Sequence, residues 1–117
     1  MRYADTKPLI DRVKEAGVLL EKYPDRVPII VEKAAGSTLP QIDKTKFLVP
    51  RDLSVGQFMH VVRKRLKLDA STAIFVFFDK TLPPVSSLIE AVYSKHKAED
   101  GFCYATYSGE NVFGVLK

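Results

Sequence analysis

The chain has 117 residues, 46% of them hydrophobic and 27% charged, the balance of one ordinary globular domain. That composition excludes extended disorder and collagen-like repeats, and a single cysteine excludes an internal disulfide framework. The net charge of +4 is uneven: residues 1–67 hold 14 Lys/Arg against 8 Asp/Glu, and residues 68–117 hold 4 against 6, so an acidic partner is expected at the N-terminal half.

Within residues 5–23, Leu9, Val13, Ala16 and Leu20 recur at helical spacing, which predicts a helix with those residues on its inner face. Pro8 sets off a short leading turn, and Tyr23-Pro24 ends the helix. Val27–Val31 reads as a strand, with Pro28 near its start or on an edge because proline donates no ladder hydrogen bond. Residues 34–45 form a loop punctuated by Gly36, Ser37, Pro40 and Asp43. Lys46–Val49 is a second strand, closed by Pro50. Ser54 and Gln57 make a capping box. The helix it opens has Val55, Phe58, Met59, Val62 and Leu66 inward and Arg63, Lys64, Arg65 and Lys67 outward, where cations suit the dipole.

Ala73–Phe78 is the longest uninterrupted apolar run, far too short to cross a bilayer. It predicts a strand covered on both faces, hence a central one. Residues 79–84 are a turn. Ser87–Lys97 is a weaker helix with Leu88, Ala91 and Val92 inward, and Phe102–Tyr107 is the last strand. From Ser108 on no pattern holds, so a mobile tail is expected. The order of helix, two strands, helix, strand, short helix and strand predicts an α+β domain. A hairpin and two further strands make a mixed sheet, with the middle helix on one face, as in a ubiquitin-like β-grasp.

The chemistry-bearing residues are sparse. His60, His96 and Cys103 are far apart in sequence, so no metal site is expected. His60 reads as a boundary imidazole, His96 as a solvated helix end and Cys103 as a small buried hydrophobe. Phosphate-loop, dinucleotide and nucleophile-elbow motifs are missing, and no carboxylate pair is placed across a cleft; no enzyme is expected. The basic run Arg63-Lys64-Arg65-Leu66-Lys67 has no interleaved aromatics, so nucleic acid is not expected as a partner. The start, Met1-Arg2-Tyr3-Ala4-Asp5, lacks the apolar stretch of a secretory signal, and a cytosolic location is the default.

Four stretches carry a more specific message: Lys22-Tyr23-Pro24-Asp25-Arg26-Val27-Pro28; Lys46-Phe47-Leu48-Val49-Pro50; Val55-Gly56-Gln57-Phe58 with Arg63-Lys64-Arg65; and Asp100-Gly101-Phe102-Cys103-Tyr104 through Tyr107-Ser108-Gly109-Glu110-Asn111-Val112-Phe113-Gly114. With the Leu82-Pro83-Pro84 turn, they resemble the autophagy ubiquitin-like modifiers, the family of GABA-A-receptor-associated protein and microtubule-associated protein light chain 3. The resemblance covers essentially the whole chain in ungapped order. It implies a single domain over 1–117: a β-grasp core at 24–107 with two additional N-terminal helices in 1–23 and a flexible tail at 108–117.

The resemblance also implies a function. A cysteine protease would cut after Gly114, with Phe113 as its anchoring side chain, and release Val115-Leu116-Lys117. Activating and conjugating enzymes would then pass the Gly114 carboxylate to phosphatidylethanolamine, moving a cytoplasmic protein to autophagosomal membranes with no other cofactor. A peptide groove would take cargo receptors and adaptors bearing acidic aromatic-x-x-aliphatic motifs. Its aromatic pocket would comprise Glu15, Leu19, Pro28, Ile30, Lys46, Leu48 and Phe102. Its aliphatic pocket would comprise Phe47, Val49, Pro50, Leu53, Phe58 and Val61, and Arg26, Lys44, Lys46 and Arg65 would form a basic rim. Val13, Val18 and Leu20 stand where the family often has charges. Two other classes stay open: a non-conjugated ubiquitin-like peptide-binding adaptor with an inert tail, and a small basic protein of nucleic-acid or membrane surfaces.

Overall fold

A computed structural model describes residues 2–113. One 3-10 turn (Tyr3–Asp5) precedes helix α1 (Leu9–Lys22), which starts after Pro8 and ends at Tyr23, just before Pro24. Strands β1 (Arg26–Lys33) and β2 (Lys46–Pro50) pair antiparallel, from Arg26 opposite Pro50 to Ile30 opposite Lys46. Helix α2 (Val55–Leu66) opens on the expected reciprocal cap: the Gln57 backbone N–H donates to Ser54 Oγ (3.1 Å), and the Ser54 N–H donates to Gln57 Oε1 (2.9 Å). Strand β3 (Phe75–Phe78), helix α3 (Ile89–His96) and strand β4 (Cys103–Ser108) complete the order. The α+β ubiquitin-like architecture is the one the pattern predicts.

The sheet runs β2-β1-β4-β3, with β1 and β4 parallel at its centre and β3 antiparallel to β4 on the outside. The apolar run at 73–78 is therefore an edge strand, not the central one. Its apolarity on both faces has another cause. Val76 and Phe78 join the core under α2, while the fully buried Phe77 meets the Phe113 ring edge-on at 4.8 Å. The central β4 is less apolar by sequence because Tyr104 and Thr106 stand half-buried on one face.

Two apolar clusters hold the sheet. On one face Val55, Phe58, Val62 and Leu66 of α2 pack with Val27, Ile29, Val31, Phe47 and Val49 of the hairpin. Tyr107 ties the 34–45 loop to that core, donating to the Pro40 carbonyl (2.6 Å) and accepting the Ile42 N–H (2.8 Å). On the other face Ala16, Ile30 and Phe102 form a smaller cluster under α1, with Tyr3, Leu19 and Tyr104 packed on it.

Helix α1 presents only half of the face its apolar spacing predicts: Ala16 is buried and Leu20 packs on the main core. Leu9 and Val13 are 39% and 43% exposed, and Arg12, Glu15 and Leu19 turn to the sheet side in their place. Polar contacts choose the rotation. Arg12 Nη1 reaches Asp100 Oδ2 at 2.7 Å, and that fully buried carboxylate also accepts the Tyr104 hydroxyl (2.5 Å) and the Phe102 N–H (2.8 Å). Gly101, at φ +91°, allows the close approach: a Cβ there would stand 3.0 Å from that of Ala16.

Helix α3 also departs from expectation. Ile89, Val92 and Tyr93 are buried, whereas Leu88 is 47% exposed and Ala91 is exposed. Leu88 bridges to Ser54 in extended conformation one residue ahead of the helix, which shifts the inward positions by one. The His96 side chain is only 9% exposed, with Nδ1 3.9 Å from Asp79, so it is not a solvated helix end. Cys103 is buried as expected; burial first, then the Asp79 charge, pushes its thiol up to about 12. Among the described residues no helix is long and apolar enough to cross a membrane.

Phe58 is 1% exposed and Val61, three residues on, is 40% exposed. Urea unfolding of Phe58→Ala should show a loss of about 3–5 kcal/mol, and that of Val61→Ala a change within about 0.5 kcal/mol.

Candidate functional site: a sheet edge between two helices

Among the described residues strand β2 has a neighbour on one side only, β1. Its side chains alternate: Phe47 and Val49 are buried, and Lys46, Leu48 and Pro50 are half-buried. Phe47 and Val49 enter the core on the α2 face, whereas Lys46 reaches α1, its ammonium paired with the Glu15 carboxylate. The outer edge of β2 is thus flanked by α1 on one sheet face and α2 on the other. A strand added there places residues an odd number apart on opposite faces.

The residues expected to form an aromatic pocket fall on the α1 face. Ile30 and Phe102 are fully buried and form its floor with the buried Pro28. Glu15, Leu19, Lys46 and Leu48 are half-buried around it. The residues expected to form an aliphatic pocket divide by burial. Phe47, Val49 and Phe58 are core, with the Phe47 and Phe58 rings edge-on at 6.3 Å. Pro50 and Leu53 are half-buried, and Val61 is exposed; these three are the reachable part of the set.

The basic rim is largely engaged. Arg65 Nε pairs with Asp43 Oδ1 at 2.8 Å, and Lys44 Nζ stands 5.1 Å from the centroid of the Phe47 ring. Arg26 Nη1 donates to the Leu48 carbonyl at 3.3 Å. Glu15 is the hub. Burial alone would raise its pKa, but hydrogen bonds from Lys46, Tyr3 and Lys7 outweigh it and bring the carboxyl from 4.5 to about 2. At the tail, Phe113 is 38% exposed against Phe77, and β4 runs one residue past the expected core boundary to the buried Ser108. Gly114, and with it the expected processing position, lies outside the described residues.

The family profile described as "Autophagy protein Atg8 ubiquitin like" matches residues 11–114. The chain belongs to the Atg8 family. It is 60% identical to autophagy-related protein 8a of Arabidopsis thaliana over 95% of this chain and 91% of that one. Identity to autophagy-related protein 8e of the same plant is 61%, over 89% and 85%. The crystal structure of Trypanosoma brucei ATG8 superposes with a TM-score of 0.88 at 44% identity, covering 92% of this chain and 93% of that one. Membership makes the protein a ubiquitin-like protein of autophagy.

Sequence spacing missed three residues that shape the α1 side of the β2 edge in this Atg8-family chain. Tyr3 stands in the leading turn, yet its ring is edge-on to Phe102 at 5.4 Å and its hydroxyl donates to Glu15. Its signal was a lone aromatic in a polar stretch. Arg12 and Asp100, which set the rotation of α1, are 88 residues apart and gave no local signal.

The pH dependence of stability follows from Glu15. Its pKa is lower folded than unfolded, so its contribution is complete above 4.5 and is lost as pH falls toward about 2. In urea titrations from neutral pH downward, the gap between wild type and Glu15→Gln should stay constant until about pH 5 and close below it.

Proposed function

We propose that this Atg8-family protein is a conjugated modifier that also captures peptides along β2. The carrying observation is that β2 is an edge strand with Lys46 and Leu48 on its α1 face and Phe47 and Val49 on its α2 face. An extended ligand adding there is held by main-chain hydrogen bonds and read by side-chain pockets. An aromatic and an aliphatic anchor three residues apart lie on opposite faces of such a strand, one toward Ile30, Lys46 and Phe102, the other toward Pro50, Leu53 and Val61. Acidic flanking residues suit Lys44, Lys46, Arg26 and Arg65, with salt-dependent association.

In this reading the bond after Gly114 is hydrolysed by a cysteine protease. The freed carboxylate is adenylated by ATP with release of pyrophosphate, passes to an enzyme thiol as a thioester while AMP leaves, and is attacked by the amine of phosphatidylethanolamine; an amide forms and the thiol leaves. Glycine suits that passage because it has no Cβ to obstruct a narrow channel. The attacking thiols belong to the partner enzymes, in keeping with the buried, high-pKa Cys103. Support comes from the family match, which runs through Gly114. A cytoplasmic pool would move to autophagosomal membranes on lipidation and recruit cargo receptors there.

Incubated with cell lysate, the protein should lose the mass of Val-Leu-Lys, and Gly114→Ala should abolish that loss; an unchanged intact mass favours the non-conjugated adaptor instead. For the groove, calorimetric titration with an acidic aromatic-x-x-aliphatic peptide should show at least about tenfold weaker binding for Lys46→Ala with Leu48→Ala. Unchanged affinity removes the pocket assignment.

A further inference from the structure

We propose that Tyr3 is an internal occupant of the aromatic pocket, which an incoming aromatic side chain must displace. The inference rests on the β2 groove proposed above. Tyr3 already makes the contacts such a pocket offers a ring. It meets the buried Phe102 edge-on, with centroids 5.4 Å apart and planes at 71°. Lys46 Nζ stands 5.3 Å and Lys7 Nζ 5.8 Å from its ring centroid. Its hydroxyl donates to the Glu15 carboxylate that also holds Lys46. It packs, with Leu19, on the cluster of Ala16, Ile30 and Phe102. Glu15, Lys46 and Phe102, three of the seven residues assigned to the pocket, meet Tyr3 directly, and the ring packs on the cluster that holds a fourth, Ile30.

The segment that carries Tyr3 is weakly held. Its 3-10 turn spans three residues and buries none of them. Ala4, Asp5, Thr6, Lys7 and Pro8 are exposed. Beyond the Tyr3 side chain, it is tied to the sheet at Glu32, which accepts the Tyr3 N–H at 2.7 Å and pairs with Arg2 at 3.3 Å, and to α1 at Lys7, which pairs with Glu15 at 3.1 Å and whose carbonyl accepts from Arg12 Nε at 3.2 Å. Release breaks few contacts and returns backbone freedom to a short strap. A strap that closes the pocket nine-tenths of the time weakens the apparent affinity about tenfold, by the fraction of open molecules. Tyr3 therefore sets the threshold for aromatic ligands while leaving the aliphatic side untouched.

The test is stopped-flow and calorimetric binding of an acidic aromatic-x-x-aliphatic peptide to the full chain, to Tyr3→Ala and to Tyr3→Phe. Tyr3→Ala should tighten binding about three- to tenfold, through a faster on-rate with the off-rate little changed. Tyr3→Phe, which keeps the ring but loses the bond to Glu15, should tighten it less. The same peptide with its aromatic replaced by alanine should bind wild type and Tyr3→Ala alike. If wild type binds the peptide and Tyr3→Ala binds it equally, or more weakly through a faster off-rate, Tyr3 is inert or a wall of the pocket and the proposal is overturned while the groove stands. If neither wild type nor any variant binds, the groove reading fails and takes this inference with it.

Discussion

Among the described residues, hydrogen bonding on one side only defines the outer edge of β2, and the proposed peptide groove depends on that asymmetry. A bare strand edge invites pairing with any extended chain, and natural sheets blunt such edges with charge or cover. Here Lys44 and Lys46 supply the charge, with Lys46 tied to Glu15 and Lys44 seated over Phe47. The opposite edge of the sheet, β3, is treated differently: its fully buried Phe77 is met by Phe113. One edge is kept selective by cations and the other carries an aromatic contact from the C-terminal segment.

The α1 face of the groove is built on polar contacts as much as on burial. The cluster beneath the helix has three buried residues, Ala16, Ile30 and Phe102, against twenty in the main core. So small a cluster gives limited hydrophobic stabilisation. Arg12 with the buried Asp100, and Glu15 with Lys46, Lys7 and Tyr3, supply the orientation. Such pairs fix geometry well even where their net stabilisation is modest. The α2 face is the reverse: Phe47, Val49 and Phe58 are interior, and the half-buried Pro50 and Leu53 and the exposed Val61 stand at their margin, where the proposed ligand would meet them.

Sequence pattern served well where the governing interaction is local. The Ser54–Gln57 cap, the α2 apolar stripe, the stops at Pro24 and Pro50 and the buried role of Cys103 all depend on neighbours within a few residues or on simple burial. It misled where a distant partner chose between faces. Leu9 and Val13 satisfy helical spacing yet stay exposed, because Arg12 is drawn to Asp100 from across the chain. The run at 73–78 reads as central but lies at the edge, its outer apolar demand met by Phe113.

The amino-acid sequence by itself determined the element types, the ubiquitin-like class and the membership that motif order conveys, since periodicity, capping and proline stops are properties of short segments. Only the tertiary structure decided which strand became the edge, how α1 is rotated, and that Tyr3 rests on Phe102 beside Glu15 and Lys46. Those outcomes join residues that are remote along the chain. Ion pairs and ring contacts settle them once the backbone has brought the partners together, and periodicity within one segment carries no record of them.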